Sequence, residues 1–479
     1  MTTAAARLER LPAFGGLPFP AVMALVLVLL ASGLAVSRAP VLMIGFVLGI
    51  AFVAVLLSNL VAGVVAFIAL QFLATVPGLE AAPASMVRVA GAVLALGWLV
   101  TLTDPDRRNA VRSLTSRHPW ATAAMVAFLV WGLASITWAT TDGPVWVDIQ
   151  RYALNFVLLG IVFTAIRTLR SFTIVTGALA LAGAAAAGAS IFLFEGSGRL
   201  DGGGSIGANE FAAGLVPVAI LSVALAWTAT TKGRRILFGV AAAVAVAGVV
   251  LSLSRGGFIA LPVAFAVWAA FGGRMRFRIL GMLAMAGAVA IAVFLLAAPP
   301  EERDRVFETE GGGSGRSDLW NIAGRLWQDA PIQGIGLGNF PELAPLKLQE
   351  ATQIERSDLI LEGIHAHSTY LGILAETGVV GFAFFAAIVV AALMASARAA
   401  VLFERAGNVK GETLARALFA GTVGLLVAAA FIYIQFQRPL WILLGMSLAL
   451  YGIAQTDDEG RRTTPRTVAA TVRRRLGIG

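Results

Sequence analysis

The strongest constraint on this chain is the recurrence of apolar runs long enough to cross a bilayer. A spanning helix needs roughly 20 mostly apolar residues. Such runs fall at Pro18–Val36, Pro40–Leu57, Leu60–Val76, Met86–Leu102, Trp120–Trp138, Ile149–Ile166 and Phe172–Phe194. They continue at Phe211–Trp227, Ile236–Leu253, Gly257–Phe271, Ile279–Ala297, Thr369–Met394, Ala417–Ile434 and Pro439–Ala454. The second and third runs almost touch, so the expected fold is an all-α polytopic membrane protein with 12–14 transmembrane helices. Charged residues make up only 13% of the chain, against about 25% in a soluble domain.

The basic residues set the expected orientation. Arg107, Arg108, Arg112 and Arg117 fall in one connection, Lys232, Arg234 and Arg235 in another, and Arg274, Arg276 and Arg278 in a third. Arg398, Arg405 and Lys410 follow, then Arg461, Arg462, Arg466 and Arg473 to Arg475. By the positive-inside rule these loops and both termini face the cytoplasm. The segment from about Ala298 to Ala366 holds 12 acidic and 6 basic residues and falls on the outer side. The expected organisation is therefore helices 1–11 within 1–297, an outer loop with short helices over 298–366, helices 12–14 within 367–454, and a basic cytoplasmic tail over 455–479. The net charge of +9 is accounted for by cytoplasmic loops against anionic lipid. No soluble basic module accompanies it, so no nucleic-acid partner is expected. With no cysteine, disulfides and thiolate chemistry are excluded.

Polar residues that escape the positive-inside rule gather on the expected outer side. Arg199 and Asn209 flank a glycine-rich loop, Arg255 stands in a Ser-Arg-Gly-Gly turn, and Arg316 and Arg325 lie in the long loop. His365 and His367 end that loop, and Arg438 sits in the last outer turn. Arginine's planar fork suits phosphate oxygens and stays charged, and histidine accepts a proton near neutral pH. The group reads as a phosphate-binding pocket with a proton acceptor. The plainer readings are that Arg255 snorkels to headgroups, that Arg316 pairs within its loop, and that Arg199 and Arg325 are surface charges. His365-x-His367 lacks a third ligand placed by spacing, and Glu362 is the nearby carboxylate, so no metal is expected. Glu376, nine residues after His367, reads as a packing or hydrogen-bonding residue, and His118 is assigned no role. Gly334–Gly338 reads as a tight glycine-rich turn; it follows no strand, so it makes a poor nucleotide loop. Ser317–Asp329 reads as a short amphipathic helix with Trp320 and Trp327 on one face.

Four motifs occur in order: SRGG at Ser254–Gly257, GRSDLW at Gly315–Trp320, GIGLGNF at Gly334–Phe340 and HAHSTYLGILAETGVVGF at His365–Phe382. Together they resemble the O-antigen ligase and O-antigen polymerase superfamily of bacterial envelope glycosyltransferases. The resemblance implies a GT-C-type transferase of the bacterial inner membrane, working on the periplasmic face without metal or other cofactor. The implied donor is a glycan on undecaprenyl diphosphate, and the acceptor is a sugar hydroxyl of lipid A–core or of another repeat unit. It places the catalytic histidine at His367 and the diphosphate-holding arginines at Arg255 and Arg316. The residues expected to contact substrate are Arg199, Asn209, Arg325, His365, Tyr370 and Arg438. Ser368 stands where many members have asparagine, and the chain carries about two more N-terminal spans than the usual twelve. A ligase is the leading expectation. The alternatives are a polymerase of the same superfamily, a flippase for the lipid-linked glycan, and a non-catalytic scaffold of polysaccharide assembly. A transporter usually shows repeat halves with a midplane site, which the one-sided polar cluster and single long loop do not match.

Overall fold

The computed structural model describes residues 59–76, 81–194, 199–202, 206–272, 276–281, 284, 287–288, 316–348 and 365–475. Among these residues the chain is helical, without a strand. The spans expected at Pro18–Val36 and Pro40–Leu57, the Gly311–Gly315 run and Glu362 lie outside the described residues, as does most of Ile279–Ala297.

The helices are α1 Leu60–Leu73, α2 Ala81–Thr101, α3 Pro105–Arg117, α4 Pro119–Ala134, α5 Asp142–Ala165, α6 Leu169–Phe192 and α7 Ala208–Thr228. They continue with α8 Lys232–Leu251, α9 Arg255–Phe271, α10 Arg316–Asp329, α11 Phe340–Leu348, α12 Thr369–Ala406, α13 Val409–Ala429 and α14 Arg438–Arg475. Eight of the described helices are long and apolar enough to cross a membrane, and α1, α9 and the part of α2 from Val87 are shorter apolar helices. The protein is a multi-pass membrane protein.

Local chemistry explains where the helices begin. Asn59 caps α1 by accepting from Val61 N at 2.9 Å. Thr168 and Ser171 close a reciprocal capping box on α6. α3 corrects the expectation that Arg107 to Arg117 form a loop. Asp104 caps it, Pro105 occupies the first turn, Asp106 sits at the positive end and Arg117 at the negative end. Those signals act together with a narrow apolar face, Ala110 and Leu114, that is buried. α14 runs on without a break from the last span to Arg475. α13 starts at Val409, eight residues before the apolar run, since Asn408 caps it by accepting from Gly411 N at 2.9 Å.

α7 and α13 form the centre, α7 packing on α6, α8, α9 and α13, and α12 packing on α4, α13 and α14. In lipid, helices associate through close packing more than through water release, which favours small residues at contacts. Gly424 on α13 is an example: a Cβ there would meet Val216 of α7 and Ala264 of α9. α10 and α11 build a separate small core of Leu319, Ile322, Ala323, Leu326, Phe340 and Ala344, onto which Ala366 and Ala375 pack. That core holds the approach to α12 against the end of the bundle.

Candidate functional site

Four connections and two helix starts meet at one end of the bundle. Arg199 is tied to the α8–α9 turn: its Nε donates to Ser252 O at 2.9 Å, and its Nη2 donates to Asn209 Oδ1 at 2.8 Å. Ser254 Oγ donates to the same Asn209 oxygen at 2.9 Å and caps α9 by accepting from Gly257 N at 3.2 Å. Arg255 is therefore the first residue of α9, at the helix end where backbone N–H groups favour anions. Phe431 packs on the place where Gly256 would carry a Cβ, 3.5 Å away, and its ring lies 6.2 Å from Trp320 of α10. Arg316 begins α10 one turn before Trp320. Glu210 lies within electrostatic reach of both Arg316 and Arg199, and Arg316 acts on His367. Arg199 and Asn209 are thus joined to the turn that leads into Arg255, and Arg316 stands within electrostatic reach of Glu210 and His367.

His367 is held in an uncommon conformation. Its φ is +46°, and Leu253, two residues before Arg255, has φ +49°; these are the non-glycine residues with positive φ among the described ones. The left-handed region costs an L-residue roughly 1–2 kcal/mol, so both turns rely on their surroundings to persist. Behind His367, Ser368 caps α12, and Thr369 is pinned to the 430–437 turn. Thr369 N and Oγ1 both donate to Ile432 O, at 2.9 and 2.8 Å, and Thr369 Oγ1 accepts from Ile434 N at 2.9 Å. Burial and the positive charge of Arg316 lower the affinity of His367 for a proton. Its buried Nδ1 has no hydrogen-bond partner among the described residues. At neutral pH the ring is a neutral base beside fixed cations.

His365 lies beside a second polar group. Its ring stacks on Tyr433 at 4.1 Å and 9°, and burial, then Arg151 and His367, push its pKa down to about 4. Burial raises the Tyr433 phenol well above its usual value. Tyr433 stands with Glu376, Asp148 and Tyr152 in one buried set, and Asp148 accepts from Arg151 Nη1 at 3.1 Å. The sequence singled out neither Asp148, Arg151, Tyr152 nor Tyr433. Each sits within or beside an apolar run with no local pattern to distinguish it. Glu376 fits its expected hydrogen-bonding role, since the main-chain N–H groups of Gly338 and Phe340 turn towards it.

The glycine-rich turn is a structural clamp. Gly334 (φ +74°) and Gly378 (φ +64°) face each other so closely that a Cβ on Gly334 would strike Glu376 O and one on Gly378 would strike Ile332 O. Gly378 also kinks α12. Ile335 N and Gly336 N donate to Ala375 O and Glu376 O, each at 3.0 Å. Asn339, fully buried, accepts from Thr141 N and Oγ1 and donates to Thr141 O and Leu337 O. The turn therefore sets the position of α12, and with it the histidines.

The remaining expected contacts are placed as follows. Tyr370 spends its hydroxyl on Leu426 O at 2.6 Å, and Arg438 donates to Gln71 Oε1 of α1 at 2.8 Å. Arg325 lies nine residues beyond Arg316 on α10, half a turn round the helix. Among the described residues no three His, Asp or Glu side chains are close enough to hold a metal.

Residues 240–386 match a protein-family model described as O-antigen ligase. This segment, about a third of the chain, is what is similar to that family. The matched segment contains Arg255, Arg316, the Gly334–Phe340 clamp, His365 and His367; Arg199, Asn209 and Arg438 lie outside it. A search of curated proteins finds no match. The similarity points to a glycosyl-transferring enzyme of ligase or polymerase type.

Proposed function

We propose that the protein is an O-antigen ligase-like transferase of the bacterial inner membrane, with its site on the periplasmic face. It moves a glycan from undecaprenyl diphosphate to a sugar hydroxyl of a lipid A–core-type acceptor. The observation that carries this reading is Arg316 acting on a half-buried His367 whose proton affinity is lowered, with Glu210 in electrostatic reach of both Arg316 and Arg199. His367 takes the proton from the acceptor hydroxyl, and the freed oxygen attacks the anomeric carbon of the donor sugar. The bond from that carbon to the diphosphate oxygen breaks, and undecaprenyl diphosphate leaves with the electron pair. Arg255 and Arg316 hold the charge that grows on the leaving group, an electrostatic contribution that needs no metal. Arg199, tied to Ser252 O and Asn209 Oδ1, adds its positive charge for the same anion. The basic loops give the orientation, with the termini in the cytoplasm.

The test is transfer in proteoliposomes with lipid-diphosphate-linked glycan, with and without lipid A–core, products resolved by gel. A single acceptor-dependent product supports the ligase reading. A ladder of lengthening lipid-linked chains assigns polymerase chemistry to the same site. No product from folded protein with either acceptor refutes transferase function and points to a flippase.

A further inference from the structure

The opposite end of the bundle carries a cavity that the transfer reaction does not use. It has a volume of about 260 Å³ and lies between α3, the α5–α6 turn and α14. Arg117, Arg167, Asn109, Ser113 and Thr456 line it, with Phe163 as apolar wall. Thr456 is 18 residues along α14 from Arg438, so the cavity is about 27 Å from the histidine end at 1.5 Å per residue.

The cavity is built rather than incidental. Gly452 leaves room for Arg117; a Cβ there would strike the guanidinium Nη1. The next residue, His118, is buried, with Nε2 3.0 Å from Leu448 O and its ring edge-on to Phe163 at 6.0 Å. Burial lowers the affinity of His118 for a proton, and Arg117 and Arg398 lower it further. The corner carrying Arg117 is thereby fixed to α14. No carboxylate lines the cavity, and among the described residues neither Arg117 nor Arg167 makes an ion pair. The neighbouring Asp457 accepts instead from Asn408 Nδ2 at 3.0 Å. Two guanidinium groups around one space repel each other unless an anion joins them. Guanidiniums with hydroxyl and amide groups around them match a phosphate, which offers only acceptors.

We propose that this cavity, on the side expected to face the cytoplasm, binds a phosphate-bearing group between Arg117 and Arg167. The group comes from the headgroup of an anionic lipid in that leaflet or from a small phosphorylated solute.

The test uses the full chain purified in detergent. Native mass spectrometry would follow retention of phosphatidylglycerol against phosphatidylcholine of the same acyl chains. A parallel melting series would titrate inorganic phosphate. Wild type should retain phosphatidylglycerol preferentially, and Arg167→Ala should lose at least tenfold of that preference. Arg167 is exposed, so this variant folds; Thr456→Trp, which fills the cavity from an exposed position, is a second route to the same loss. A melting shift with phosphate in wild type, absent in Arg167→Ala, assigns the soluble source and also supports the site. Equal retention of both lipids without a phosphate shift overturns the proposal. So does a phosphatidylglycerol preference that both variants keep.

Discussion

Gly378→Ala tests how the histidines are positioned. Gly378 has φ +64° and ψ −172°, a region open essentially to glycine. Forcing alanine there costs about 1–3 kcal/mol in backbone strain. The new Cβ would also strike Ile332 O, so the Pro331–Gly338 turn must move away. Four hydrogen bonds join that turn to α12: Ile335 N to Ala375 O, Gly336 N to Glu376 O, Val379 N to Pro331 O and Val380 N to Ile332 O. Losing two of them adds about 0.5–1.5 kcal/mol each. The sum is about 2–6 kcal/mol, and the shift should also reduce transfer by displacing the His365–Ser368 segment. The assay is thermal unfolding in detergent beside transfer in proteoliposomes. The control is Gly324→Ala, where a Cβ meets open space on α10 and the helix gains up to about 1 kcal/mol. If Gly378→Ala melts and turns over like Gly324→Ala, the clamp does not hold α12.

Three further outcomes are expected. Arg316 helps keep His367 neutral, so Arg316→Gln should move the acidic limb of the kcat/KM profile to higher pH; an unmoved limb separates the two residues. The folded His365 has its pKa lowered from 6.5 to about 4. The unfolded chain therefore takes up that proton first: the stability is complete above pH 6.5 and is lost as pH falls towards 4, up to about 3 kcal/mol. His365→Gln should flatten the melting temperature over that interval, and an unchanged slope would remove His365 as its source. Asn339→Ala leaves Thr141 N without its acceptor in a buried corner and should cost about 2–4 kcal/mol in unfolding measurements; a neutral result would show that water replaces the amide.

The helices were legible wherever an apolar run was long, as at Phe211–Trp227, because lipid leaves few other ways to satisfy the backbone. Their ends were less so. α13 begins eight residues before its apolar run because Asn408 caps it, and α3 is mostly polar, with Ala110 and Leu114 buried, yet helical by its caps. The site was legible where motif and exception coincided. Arg255, Arg316 and His367 stand out in the sequence as polar residues where the positive-inside rule leads one to expect few, and Arg316 lies within electrostatic reach of His367. Asp148, Tyr152 and Tyr433 were not, since only the approach of α5 and the 430–437 turn to α12 gives them a setting. The glycines of Gly334–Gly338 were read as a turn; their task, fitting against Gly378, depends on a residue some forty positions away.

The central claim is that His367 takes the acceptor proton. The most direct measurement is the transfer rate of His367→Ala at saturating donor, with folding checked by melting in detergent. Loss of general-base help predicts a fall of roughly 100- to 10,000-fold, with donor binding retained through Arg255 and Arg316. A rate within about threefold of wild type, a span worth less than 1 kcal/mol of barrier, would contradict the assignment.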